Sequence, residues 1–190
     1  KPFVQLGFMP EALSSAPPGM PYRHFWKPGD PYNDIYTGWT YPPKDYDKWA
    51  ELVYQWVRHS VDRYGKQEVE SWWWQLWNEP DISYWQGTDE EYLKLYDYTA
   101  DAVKRALPTA RIGGPNVTGG GYRLMRTFLE HVRDGANAAT GQRATRDRRA
   151  EGAAPAGRDG KPHLRGAAGG VWRGRPAAHV PPARPRRPGH

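Results

Sequence analysis

The stretch 71–80, S-W-W-W-Q-L-W-N-E-P, constrains the fold of this chain more than any other. Large aromatics and one Leu, in a run too short for a globular helix, predict a strand buried on both faces. The strand stops at Asn78-Glu79-Pro80, because Pro has no N–H for the ladder and biases the preceding residue away from helix. A carboxylate therefore stands at the C-terminal tip of a buried strand, with an amide beside it. In barrels of alternating strands and helices, catalytic side chains gather at that tip. A Glu-Pro at a strand end is also an ordinary turn, so the flanking segments decide between the two.

Those segments alternate. Residues 1–8 (K-P-F-V-Q-L-G-F) read as a strand closed by Met9-Pro10. Residues 10–43 form a long stretch rich in Pro, Gly and aromatics, without helical or strand period. A loop of that length in a compact domain is usually functional or disordered. Tyr22, Phe25, Trp26, Tyr32, Tyr36 and Trp39 argue against plain disorder. Such rings either stack on the apolar C–H faces of sugars or pack the loop onto its scaffold. Trp49, Leu52, Val53, Trp56, Val57, Val61 and Tyr64 then recur at helical spacing, and Gly65 supplies the stop. His59 falls off that stripe and is expected in solvent.

After the central strand, a loop carrying Tyr84 and Trp85 leads to Thr88-Asp89-Glu90-Glu91, a capping box for the next helix. Tyr92, Leu95, Tyr96, Thr99, Val103 and Leu107 supply its apolar stripe, and Pro108 ends it. Residues 110–114 (A-R-I-G-G) read as a third strand. Gly119-Gly120-Gly121 lacks the spacing and Lys of a phosphate loop and reads as a simple break. A helix with Leu124, Phe128, Leu129 and Val132 follows and stops at Gly135. Strand and helix thus alternate three times, which implies an α/β fold with a parallel sheet.

Composition divides the chain. Residues 1–135 hold 15 Lys and Arg against 18 Asp and Glu, and nine of the ten Trp. Residues 136–190 hold 12 against 3 and are mostly Ala, Gly, Pro and Arg, a tail expected to be disordered. It has neither the aromatic interleaving of single-strand binders nor a folded reading motif, so no specific nucleic-acid partner is expected. Its abrupt start suits translation out of frame from a GC-rich gene. The chain holds no Cys, which excludes disulfides and Cys-based metal sites, and no metal or cofactor is expected. No apolar stretch is long enough to span a membrane. Entry into a strand at Lys1 suggests a missing N-terminal part, so the sequence assigns no compartment; it assigns no oligomeric state either.

Six motifs carry a resemblance: L-G-F-M-P at 6–10, P-P-K-D-Y-x-K-W at 42–49, R-Y-G-K-x-E-V at 63–69, W-N-E-P at 77–80, E-Y-L-K-L-Y at 91–96 and G-G-P at 113–115. With them the chain resembles glycoside hydrolase family 39, the family of bacterial β-xylosidases and α-L-iduronidases, and is closest to the xylosidase branch. The resemblance implies an eight-stranded β/α barrel, of which residues 1–135 form about three β/α units, strands three to five. It implies Glu79 as general acid/base and Asn78 as donor to the sugar 2-hydroxyl, with Trp85 and Phe8 as further substrate contacts. The substrate implied is an oligosaccharide of the xylo type or an aryl glycoside.

The family's nucleophile is a second Glu on the seventh strand, and nothing here matches it; Glu151 stands in no strand-like context. Retaining hydrolysis needs two carboxylates roughly 5–5.5 Å apart, one to protonate the leaving oxygen and one to attack. The acid must also hold its proton, which takes an apolar wall or a nearby negative charge; Trp72, Trp73, Trp74 and Trp77 are candidates for the wall. The expectation is a family 39 glycosidase fragment lacking its nucleophile half and inactive alone. Alternatives are an α-L-iduronidase-like or related hydrolase, or a non-catalytic carbohydrate binder, which the second Glu would separate.

Overall fold

A computed structural model of the chain describes residues 1–22, 27–29 and 37–143. The expectations for Phe25, Trp26, Tyr32, Tyr36, Glu151 and the tail beyond 143 lie outside the described residues. Three strands, β1 (Phe3–Leu6), β2 (Trp73–Leu76) and β3 (Arg111–Gly113), form one parallel sheet in the order β1-β2-β3. Parallel neighbours need a crossover between them. Helix α1 (Tyr46–Tyr64) and the single turn α2 (Lys66–Val69) join β1 to β2, and α3 (Asp89–Ala106) joins β2 to β3. Helix α4 (Tyr122–Asp134) follows.

The helix ends are fixed locally, largely as the sequence expects. Asp45 caps α1 by accepting the Lys48 N–H at 3.0 Å, and this bond, first among its causes, holds the Asp45 carboxyl below its usual range. Gly65 ends α1 at φ 85°, a conformation that costs Gly little. Both halves of the Thr88–Glu91 capping box are formed at the start of α3.

Register decides which side chains reach the core. Val4, Trp74 and Ile112 lie in one row and Leu6 with Leu76 in another on the same face. Trp74, Leu6 and Leu76 are buried there with Val53 and Val57 of α1 and Tyr92, Leu95 and Val103 of α3. Each such burial contributes about 1.5–3 kcal/mol. Between the helices, the Trp49 indole N–H donates to Thr99 Oγ1 at 2.8 Å, giving a buried donor its acceptor.

On the opposite sheet face the expectation of a strand buried on both sides holds at Gln75, 8% exposed, but fails at Trp73. Phe3 and Trp73 share a row with Arg111 and are 65% and 48% exposed. The Arg111 guanidinium lies 4.1 Å from the Trp73 ring, the closest cover that residue has among the described contacts. No helix of this chain packs on that face among the described residues, so the aromatic run meets solvent on one side. An open hollow of about 180 Å³ lies there, between Phe3, Trp73, Gln75, Ile112 and Asn116.

Two further differences have local causes. The stretch after Pro10 is not featureless: 3-10 turns form at Glu11–Leu13 and Gly38–Thr40, and Ser14 bridges Pro43. The segment from 136, expected to lack structure, begins with a tight turn in which Ala136 bridges Arg143. That turn is anchored to the Asp97 carboxylate, 1% exposed, which accepts the Ala138 N–H at 2.8 Å and holds His131 Nε2 of α4 at 3.0 Å. A buried carboxylate needs such partners, and here they come from the stretch that composition marks as tail.

Candidate active site

Because the strands are parallel, their C-terminal ends Leu6, Leu76 and Gly113 share one rim. The chain beyond each end builds the site. After Leu76 the backbone turns sharply: Trp77 and Glu79 take left-handed conformations, φ 62° and 46°, rare for residues with a Cβ. Trp77 is fully buried, its backbone N–H on Leu6 O at 3.0 Å and its indole N–H on Tyr84 O at 2.8 Å. Gly7 is required beside it, since a Cβ there would stand 3.1 Å from Trp77 Cε3 at a backbone φ of 147°.

Asn78 and Glu79 follow, both half-buried, two and three residues beyond the last residue of β2. The Glu79 N–H donates to Asn116 O at 2.7 Å, and Asn116 Nδ2 donates to Asn78 Oδ1 at 3.1 Å. Asp81, the other acid between residues 77 and 88, is engaged by Thr118, whose N–H and hydroxyl donate to its two oxygens at 2.9 and 2.5 Å. The arrangement thus holds one carboxylate with no side-chain hydrogen-bond partner among the described residues, beside an amide whose oxygen is committed. It can deliver a proton and a hydrogen bond to neighbouring oxygens of a ligand.

The aromatic surroundings divide. The Phe8 ring, half-buried, lies 5.1 Å from Trp39, 5.2 Å from Trp77 and 5.6 Å from Tyr84, at the same rim as Glu79. The long loop enters this cluster through Trp39, through Tyr22 donating its hydroxyl to Met9 O at 2.8 Å, and through the Gln86 N–H on Thr40 O at 2.9 Å. Trp85 departs from the expected sugar contact. It is 6% exposed, packed edge-to-face on Trp77 at 5.1 Å and on Tyr92 at 5.8 Å, with its indole N–H on Thr88 O. A ring so enclosed serves as core.

The wall expected from four tryptophans also narrows. Trp72, before β2, packs on Tyr64 and Trp74 and donates to Glu68; Trp74 is buried in the core under the sheet, and Trp73 lies on the open face. Only Trp77 of the four flanks the Asn78-Glu79 turn. Sequence reasoning missed Asn116, Asp81 and Thr118 entirely. An amide directly after Gly-Gly-Pro at a strand end was the available signal for Asn116.

Known proteins resemble this chain in sequence and in fold. The sequence profile of "Glycosyl hydrolases family 39" matches residues 1–140. A β-xylosidase of Caldicellulosiruptor saccharolyticus is 43% identical over 117 residues, 60% of this chain and 21% of that protein. One from Geobacillus stearothermophilus is 40% identical over 131 residues, 68% of this chain and 23% of that protein. The crystal structure of a monomeric β-xylosidase from Caulobacter crescentus superposes with a TM-score of 0.56 at 34% identity, over 70% of this chain and 24% of its own. The chain therefore spans less than a quarter of the length of these proteins.

Proposed function

Because this chain belongs to the glycosyl hydrolases of family 39, we propose that it is the acid/base part of a retaining β-xylosidase-type barrel, with Glu79 as general acid/base and Asn78 as its hydrogen-bonding partner. The observation that carries the reading is the Asn78-Glu79 turn at the end of β2, tied to the chain beyond β3 through Asn116. Strands β1 to β3 would be the third to fifth of eight, and the open sheet face would be the inner face of the barrel. The 40–43% identity to β-xylosidases supports a xylo-oligosaccharide or aryl xyloside as substrate.

In this reading the Glu79 carboxyl protonates the glycosidic oxygen as the bond breaks and later takes a proton from water. Asn78 holds a sugar hydroxyl, and the half-buried Phe8 contributes an apolar edge to the sugar site. A second carboxylate must attack the anomeric carbon from the opposite side. Asp81 is unsuited to that role, since Thr118 engages both its oxygens. We assign the attacking group outside residues 1–143, and in this reading the chain alone binds carbohydrate without turnover.

The test is p-nitrophenyl β-D-xyloside turnover by two proteins. One is the 190-residue chain; the other is the Caldicellulosiruptor β-xylosidase with its matching 117-residue stretch replaced by this chain's. The chain alone is expected to release no nitrophenol above buffer, and the graft to hydrolyse. Glu79→Gln in the graft should cost about 10²–10⁴ with poor leaving groups and less with good ones, which need less protonation. Robust release by the chain alone that vanishes with Glu79→Ala would overturn the missing-carboxylate reading. A graft indifferent to Glu79→Ala would overturn the acid/base assignment.

A further inference from the structure

Two ties from one residue converge on the Asn78-Glu79 turn. The main-chain oxygen of Asn116 accepts the Glu79 N–H at 2.7 Å, and its side-chain Nδ2 donates to Asn78 Oδ1 at 3.1 Å. A primary amide has one oxygen acceptor and one NH₂ donor group, pointing in opposite senses. With Oδ1 committed to Asn116, the Asn78 NH₂ is turned away from it. Asn78 then meets a ligand as a donor. Without the tie, the amide can rotate and offer either group.

Asn116 is itself held firmly enough to act as a reference point. Two residues on, Thr118 binds Asp81 through both its N–H and its hydroxyl, tying the chain after β3 to the chain after β2 a second time. The turn closes against this latch at Gly121, where a Cβ would stand 2.4 Å from Val117 Cβ and 2.7 Å from Asp81 Oδ2. Pro115 before Asn116 is buried and fixes its own φ. The Asn116 side chain, by contrast, is exposed, so its tie to Asn78 is not a by-product of packing. Left-handed backbone at Glu79, φ 46°, persists where surroundings over-determine it, and the Asn116 carbonyl is the partner that the Glu79 N–H finds.

We propose that Asn116 is the positioning residue of this site, its side chain fixing the Asn78 amide with NH₂ outward to receive a ligand hydroxyl oxygen while its carbonyl anchors Glu79. The proposal rests on the reading of Asn78 as a ligand contact, but the orientation itself is measurable without turnover. The side-chain and main-chain roles separate under mutation, because Asn116→Ala removes the amide and keeps the carbonyl.

The experiment is ¹⁵N relaxation and amide exchange on the full 190-residue chain, with Asn116→Ala and Asn116→Asp. In the unmodified chain the Asn78 NH₂ should be ordered, with an order parameter above about 0.8, falling below about 0.6 in Asn116→Ala. Glu79 amide exchange and the core amides of Trp49 and Leu95 should stay unchanged in that variant. Asn116→Asp offers only acceptors, so the Asn78 amide should stay ordered but reverse, with one NH₂ proton shifted downfield by the carboxylate. An Asn78 amide mobile in the unmodified chain, or equally ordered in Asn116→Ala, overturns the proposal. Faster Glu79 exchange in Asn116→Ala also overturns it, since Asn116 would then merely hold the loop. A graft indifferent to Glu79→Ala, alongside the expected spectra, would instead remove the catalytic reading and leave the geometry standing.

Discussion

Gly7 and Trp77 form a pair in which neither residue has an alternative. Trp77 is buried in a left-handed turn that carries Glu79 to the rim, and its indole fills the space a side chain at position 7 would need. Gly7→Ala combines a crowded Cβ with a backbone φ of 147°. Its expected cost is about 1–3 kcal/mol, read as a lower urea midpoint with unchanged slope. A midpoint within experimental error of the unmodified chain would contradict the crowding argument.

Tyr92 makes a residue-level prediction in pH. Its buried hydroxyl donates to Leu76 O at 3.2 Å, and burial, with Tyr96 beside it, raises its phenol well above the ordinary value. Burial, with the Asp97 charge adding, also pushes Tyr96 up to about 12. A raised folded value means that the unfolded chain loses these protons first. Stability is therefore full below about pH 10 and falls as pH rises toward 12, by roughly 1.4 kcal/mol per pH unit for each phenol. Tyr92→Phe should cost about 1 kcal/mol at neutral pH through the lost hydrogen bond. Above pH 10 its stability should decline less steeply, so the two curves converge. Parallel curves in denaturant titrations across that range would show that Tyr92 is not the titrating group.

Between elements, the Asp97 carboxylate on α3 is the joint. It takes His131 from α4 and the Ala138 N–H from the turn beyond, so one side chain seats both. Asp97→Ala should cost about 1–3 kcal/mol, since it leaves His131 Nε2 and the Ala138 N–H without their acceptor. His131→Ala should cost less, and the double variant less than the sum of the two. Proteolysis within 136–143 should accelerate in Asp97→Ala before the α1–α3 core loses its fluorescence signature. If the two sites behave additively, the joint is not a unit.

What the sequence made legible at this scale follows range of interaction. Caps and stops, such as Thr88 and Gly65, act over a few residues and could be read directly. The α1 stripe was read too wide: Val53 and Val57 are buried, but Leu52 and Trp56 are 41% exposed and Tyr64 58%. Period tells which residues share a side, not how much of that side a neighbour covers. His59 faces solvent, as its place off the stripe implied. The rim position of Glu79 and Asn78 could be read because Pro80 signals a nearby strand end, although β2 already stops at Leu76, before the left-handed turn. Asn116, Asp81 and Thr118 could not, because they matter only once β3 lies beside β2, 37–38 residues away in the chain. Trp85 is not legible from sequence, because an aromatic shortly after Asn78-Glu79 looks alike whether it faces a ligand or packs on Tyr92.

At the scale of the whole molecule, the sheet covered on one face sets the behaviour. Parallel sheets are stable when both faces are packed, and the described residues supply helices for one. The open face presents Phe3, Trp73 and the apolar stem of Arg111 in a single row. If Trp73 were the core residue its sequence context suggests, replacing it would cost about 3–5 kcal/mol. At 48% exposure, with Arg111 over its ring as its main partner, Trp73→Gln should instead cost less than about 1.5 kcal/mol, the scale of a cation–π contact and partial burial. Trp74→Gln, one residue on and 1% exposed, should unfold most of the chain. Adjacent tryptophans of one strand thus differ in cost severalfold because they point to opposite faces. The same Trp73→Gln change should lower any concentration-dependent association seen by sedimentation, since it removes part of an exposed apolar row. Equal destabilisation at the two positions would mean that the open face is packed, and with it the assignment of that face to a barrel interior completed by other chain would fall.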